Sequence, residues 1–244
     1  MKHIVTDARV TLQTLIMGGQ VAQVTLYVAN TIELLREDVE NGTFVIRSFA
    51  YGAEWDSVEP PQYEQVPNYV APQYASRMSE EFGIEAEAGR YVPVNRDAVV
   101  GIAAVGMVDK GKSGMKKVRI VHDLSRPTDF SVNNLTDIEK RRFATVKQAC
   151  AFLRPQAWQA KTDLSKAYRS IPTAPKYWRV HVLEWNGVIY SDLRLPFGNR
   201  AAPGVFDRLT QTIVRVVRRL GIPFVLGYLD DFYTTAPPDE GDIV

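Results

Sequence analysis

Asp230 and Asp231 stand side by side in GYLDDFY, residues 227–233, inside a run that otherwise reads as buried strand. Adjacent carboxylates repel, so a fold tolerates them only in water, opposite cations, or on a metal. A third carboxylate, Asp163, falls in WQAKTDLSKAYRSI, where a strand gives way to a helix. If the two strands are neighbours, the three converge, and all-oxygen ligands of this kind suit Mg²⁺. Two such ions, about 3.5–4 Å apart, activate a 3′-hydroxyl and stabilise a leaving pyrophosphate during in-line displacement. Taken singly, Asp163 also reads as a helix N-cap, and the Asp230-Asp231 pair as an exposed turn.

A second group is cationic. Lys110, Lys112, Lys116, Lys117 and Arg119 crowd one loop against only Asp109. Such a loop can close over an incoming triphosphate, or simply be solvated.

The elements that must position these residues alternate after residue 99. Val99–Val108 and Lys117–Leu124 read as a hairpin, 145–153 as a helix, and 157–163 as a strand leading into a helix to about Ser170. Trp178–Val182 and Val188–Asp192 flank Asn186-Gly187, the strongest short turn signal in the chain. Pro203–Leu220 carries apolar residues at helical spacing, and Phe224–Thr234 closes the pattern as a hairpin. The order β-β-α-β-α-β-β-α-β-β predicts an α+β fold with a largely antiparallel sheet packed on helices. Upstream, residues 1–45 read as a helical extension. Residues 46–74, dense in Pro and Tyr, read as extended chain, and Tyr74–Gly89 as a short helix.

The 244 residues are 45% hydrophobic, enough for a sizeable core. Lys+Arg 29 against Asp+Glu 28 leaves a net charge of +1, so a nucleic-acid partner must meet a local basic patch. One cysteine, Cys150, excludes internal disulfides, fits an intracellular setting, and reads as an inert buried thiol. His122 and His181 lack metal-ligand spacing and read as structural. Trp158, Trp178 and Trp185 read as core or cross-strand residues. No stretch is long and apolar enough for a membrane span, so no membrane partner is expected.

GYLDDFY resembles the Tyr-x-Asp-Asp hairpin of reverse transcriptases. DLSKAY (163–168) is similar to their first catalytic motif, LPFGNRAAPGVF (195–206) to the loop and helix between the two, and KVRIVHDLSRP (117–127) with SVNN (131–134) to the preceding fingers motif. The four occur in the family's order over roughly residues 95–235, and their wording looks most like retrotransposon enzymes. The resemblance implies a right-hand polymerase fingers and palm. It divides the chain into the 1–45 extension, a fingers region with the first part of the palm over 46–162, and a palm with the catalytic hairpin over 163–244. Thumb and ribonuclease H have no counterpart in these residues, as in a piece of a longer polyprotein.

By the same resemblance, Asp163, Asp230 and Asp231 are catalytic and bind two Mg²⁺ ions, for which Mn²⁺ can substitute, with the Leu164 carbonyl as a further ligand. Tyr168 matches the steric gate against a ribose 2′-hydroxyl. Arg119, with Lys116 or Lys117, matches the triphosphate contacts. Phe197 and Gly198 border the nucleotide, and Arg200 and Tyr228 face nucleic acid. The implied activity is RNA-directed DNA polymerisation, extending a primer on an RNA or DNA template with deoxynucleoside triphosphates. The alternative is a non-catalytic descendant that serves as a nucleic-acid-binding or scaffold module. It is disfavoured because all three carboxylates and Tyr168 are present. An RNA-templated RNA polymerase is disfavoured by Tyr168.

Overall fold

A computed structural model describes residues 41–109 and 118–236. The expected helices of the first 40 residues, and Lys116 and Lys117, lie outside the described residues. The fold mixes helices with antiparallel sheets, as the pattern predicts, and the chain divides into two units.

One unit comprises residues 41–50, 140–167 and 203–236. Its helices are α1 (Asn41–Tyr51), α3 (Val146–Phe152) and α4 (Ala202–Arg219), and its strands are β4 (Trp158–Asp163), β7 (Val225–Tyr228) and β8 (Asp231–Ala236). The sheet order is β4-β8-β7, so β8 is central. Helix α4 forms because Val205, Phe206, Leu209, Ile213 and Val216 recur on one face, and all are buried. It can lie close on the sheet because Gly227 has no side chain: a Cβ there would run into Thr210 and Val214. The Arg208 guanidinium sits 4.4 Å from the Phe44 ring centre, which ties α4 to α1. Helix α3 starts at a capping box, in which the Thr145 hydroxyl accepts from the Gln148 N–H at 3.3 Å and Gln148 Oε1 accepts from the Thr145 N–H at 2.8 Å.

The other unit comprises residues 51–139 and 168–202. Strands β2 (Ala104–Asp109) and β3 (Val118–Asp123) pair from Ala104↔Asp123 to Asp109↔Val118. A second sheet has the order β1-β6-β5, from Tyr91–Pro93, Val188–Asp192 and Val182–Trp185. Helix α2 (Ala75–Glu87) buries Met78 and stacks Phe82 on Trp185 at 5.3 Å between ring centres. Of the stretch expected to be extended, residues 46–51 instead complete α1, and the proline-rich part after Gly52 is extended, as its composition predicts. The N–H groups of Tyr63, Val66 and Tyr69 donate to the carbonyls of Val100, Ile102 and Val105 at 3.0–3.1 Å.

Several expectations need correction. The helix expected after Asp163 is only a 3₁₀ turn at Ala167–Ser170, because Lys166 takes φ 58° and ends any helical run. The strand expected over 178–182 begins only at Val182. Pro175 opens a 3₁₀ turn there, and the Trp178 indole N–H donates to the Thr173 carbonyl just before it at 3.0 Å. Trp158 is 55% exposed, and Cys150 is exposed rather than buried, because the helix carrying it has no buried residue. Trp185, His122 and His181 are buried. Among the described residues, no helix is long and apolar enough to cross a membrane.

Candidate active site

Strands β7 and β8 close on the pair Tyr228↔Asp231, which leaves Leu229 and Asp230 as a two-residue turn. Leu229 sits at φ 51°, a left-handed conformation that costs a non-glycine residue about 1–2 kcal/mol. Thr210 on α4 offsets part of that cost by donating its hydroxyl to the Leu229 carbonyl at 2.7 Å. The turn is thus held from beneath by the helix.

Across the sheet, Asp163 at the end of β4 stands directly opposite Asp231. Opposite residues in an antiparallel pair project to the same face with Cβ atoms about 4.5–5.5 Å apart. The next residue, Leu164, donates its N–H to the Asp230 carbonyl at 2.9 Å. Asp163, Asp230 and Asp231 are thereby brought to one end of one sheet by backbone pairing alone. Asp163 is exposed, Asp230 and Asp231 are half-buried, and Leu164 is buried.

The positive charge beside them comes from Lys161. It lies two residues before Asp163, hence on the same strand face, and its Nζ is 3.0 Å from Asp231 Oδ1. The hydrogen bond and charge of Asp231, with smaller contributions from Asp163 and Asp230, raise the Lys161 ammonium pKa above its usual value. Among the described residues, no three His, Cys, Asp or Glu side chains converge closely enough to hold a metal ion. The donor chemistry nevertheless fits a hard cation: three carboxylates, with no nitrogen or sulfur among them. Tyr228 is 51% exposed, its ring 5.8 Å from that of Phe143.

The second unit gathers a different set. The Tyr168 and Phe197 rings lie 5.2 Å apart, and the Arg119 guanidinium covers the other ring of this pair, 4.2 Å from the Phe197 centre. Gly198 takes φ 109°, and a Cβ there would run into the His122 carbonyl oxygen, so only glycine fits. The His122 N–H donates to the Phe197 carbonyl at 2.8 Å. Asn133, from the SVNN stretch, clips the same loop: its Nδ2 donates to the Gly198 carbonyl at 2.8 Å, and its Oδ1 accepts from the Arg200 N–H at 2.9 Å. The Arg200 guanidinium also donates to the Asn133 carbonyl at 2.9 Å, so Arg200 is engaged in holding this loop.

Among solved structures, the chain is similar to those of foamy viral protease-reverse transcriptases. It matches the selenomethionine-labelled prototype foamy virus protein at 23% identity and TM-score 0.58, covering 75% of this chain and 22% of that one. It matches the foamy viral protein solved with double-stranded DNA at 16% identity and TM-score 0.63, covering 88% and 39%. It matches the form solved with an RNA/DNA hybrid at 16% and 0.58, covering 86% and 29%. The chain has a reverse-transcriptase-like fold. It spans well under half the length of those structures. No protein-family model and no curated protein sequence matches it.

Within this reverse-transcriptase-like chain, sequence reasoning missed Lys161 and Asn133. Asn133 lies inside a quoted motif, but nothing in the sequence says which backbone it bonds. Lys161 was readable from the two-residue period of a strand that ends on Asp163.

Proposed function

We propose that this chain is the fingers and palm portion of an RNA-directed DNA polymerase, which extends a primer on an RNA or DNA template with deoxynucleoside triphosphates. The observation that carries the reading is the placement of Asp163 opposite Asp231, with the Leu164 N–H on the Asp230 carbonyl. This gives three carboxylates a common sheet end although they are 67 and 68 residues apart in sequence (230 − 163 and 231 − 163).

In this reading Asp163, Asp230 and Asp231 hold two Mg²⁺ ions, with the Leu164 carbonyl as a further ligand. When bound, the ions lower the pKa of the primer 3′-hydroxyl and neutralise charge on the departing pyrophosphate. The chain's own residues do the rest. The carboxylates bring negative charge that would favour the dications, and the Lys161–Asp231 ion pair would have to open to free the Asp231 carboxylate for them. The Tyr168 ring takes the space of a 2′-hydroxyl and so selects deoxynucleotides. The Arg119 guanidinium, 4.2 Å from the Phe197 ring centre, offers N–H donors to triphosphate oxygens. Lys116 and Lys117 add charge to the same triphosphate. Gly198 lets backbone approach the nucleotide, while Arg200 and Tyr228 face nucleic acid.

Calorimetric titration with Mn²⁺ tests the metal assignment. The wild-type chain is expected to bind, and Asp230→Asn to lose at least tenfold in affinity. Equal binding by both would remove the carboxylates from the metal site.

A further inference from the structure

The unit that carries Tyr168 and Phe197 also buries a set of charges that the polymerase reading does not use. Arg169 directly follows Tyr168, and its side chain is 9% exposed. Its Nη1 lies 2.6 Å from Asp192 Oδ2, and its Nη2 lies 2.7 Å from Glu85 Oε2. Asp192 is fully buried, and the same Oδ2 is 3.2 Å from Nε2 of buried His122. Glu85 is held from its other side by Arg90 at 2.7 Å. Tyr91 flanks the group, its hydroxyl 3.4 Å from His122 Nε2 and its ring 5.1 Å from the Arg169 guanidinium carbon.

Burying charges this deeply is a poor way to gain stability. Well-packed apolar replacements of a buried ion network are often neutral or stabilising. What such a network does provide is geometry, because each partner must stay in place to compensate the next. Its two ends are informative. At one end Arg169 fixes the short turn Ala167–Ser170, and with it the backbone that carries Tyr168. At the other end His122 donates its backbone N–H to the Phe197 carbonyl, and its own carbonyl blocks any side chain at position 198. Arg119, which covers Phe197, lies three residues before His122 on β3.

We infer that Arg169, Asp192 and His122 are positioning residues for sugar selection: their buried network sets the placement of the Tyr168–Phe197 ring pair and so the discrimination between deoxy- and ribonucleotides. The inference rests on Tyr168 acting as the sugar gate. Its effect is indirect, since none of the three side chains needs to touch a nucleotide.

The test measures the affinities of the full chain for dGTP and GTP by calorimetry in Mg²⁺, with melting temperature recorded for every variant. The paired variant Arg169→Met with Asp192→Leu removes both charges while keeping the site filled. Asp192→Asn serves as a milder single change should the pair fail to fold. Folded variants are expected to lose at least tenfold of the dGTP-over-GTP preference, approaching Tyr168→Ala, with Mn²⁺ affinity unchanged. His122→Gln, which keeps a donor toward Asp192, is expected to retain the preference that His122→Leu loses. Folded variants that discriminate like wild type, beside a Tyr168→Ala that does not, would overturn the positioning role and leave the gate standing. A wild-type chain with no preference would overturn the gate and the inference with it.

Discussion

Lys161 is the residue whose role is most testable in isolation. Its ammonium sits 3.0 Å from Asp231 with its side chain 68% exposed, so the pair contributes little stability, and under the proposed function Lys161 would compete with a dication. Lys161→Met is expected to raise Mn²⁺ affinity several-fold at low salt and little at high salt, as screening predicts. Calorimetry at two ionic strengths checks this, and an unchanged or weakened affinity would count against the competition. Tyr168→Ala is expected to admit ribonucleotides, read from the ratio of dGTP to GTP affinity. At this scale the sequence was informative where chemistry is local: two adjacent aspartates and an aromatic five residues after Asp163 are visible as text. The strand face of Lys161 was readable from its spacing to Asp163, but its pairing with Asp231 was not, because that depends on the register of two strands distant in sequence. Arg169 and Asp192 were hidden for a related reason, since 23 residues separate two charges that the fold brings within 2.6 Å.

At the scale of elements, the Leu229–Asp230 turn and the Phe197–Gly198 loop each depend on one close approach. Thr210→Val removes the hydroxyl that satisfies the Leu229 carbonyl and is expected to cost about 1–3 kcal/mol, seen as a lower melting temperature. Gly198→Ala places a Cβ against the His122 carbonyl at φ 109° and is expected to destabilise by more than about 1 kcal/mol, read from urea unfolding. Helix α4 was legible almost to the residue, expected over 203–220 and found at Ala202–Arg219, because a long apolar stripe leaves little choice of period. The hairpin around Asn186-Gly187 was legible from its turn, with Asn186 at φ 53° and Gly187 at φ 78°. The segments after Asp163 and around Trp178 were not. In both, a local backbone event, Lys166 at φ 58° and the Pro175 turn, overrides a propensity that still reads as helix or strand.

For the whole molecule, near-neutral charge conceals buried titratable groups that shape its response to acid, His181 and Asp192 among them. Burial drives the His181 imidazole down to about 3. Burial would raise the Asp192 carboxyl, but the Arg169 guanidinium and the His122 hydrogen bond outweigh it and hold it down at about 2. In the unfolded chain these groups titrate near about 6.5 and about 3.9. Between the unfolded and folded values the unfolded chain binds more protons, so stability is full above the unfolded pKa and falls as pH drops. The His181 share is expected to erode below about pH 6.5 and the Asp192 share below about pH 4, each by up to about 1.4 kcal/mol per pH unit. Urea midpoints from about pH 8 to about pH 3, which span the His181 limb and the upper part of the Asp192 limb, check this, and a flat profile down to the lower end would contradict it. The α+β class was legible at this scale from the alternation of patterns. The division into two units, each assembled from separated stretches, was not, because the chain's later passages between them fall inside the alternating strand–helix pattern with nothing to mark them.

The most direct measurement is primer extension on an RNA template with Mg²⁺ and deoxynucleoside triphosphates, comparing this chain with Asp230→Asn. The account predicts incorporation by the wild-type chain and its loss by at least a thousandfold, about 4 kcal/mol of transition-state stabilisation, in the variant. Incorporation that survives in Asp230→Asn, or none by the wild-type chain, would contradict it.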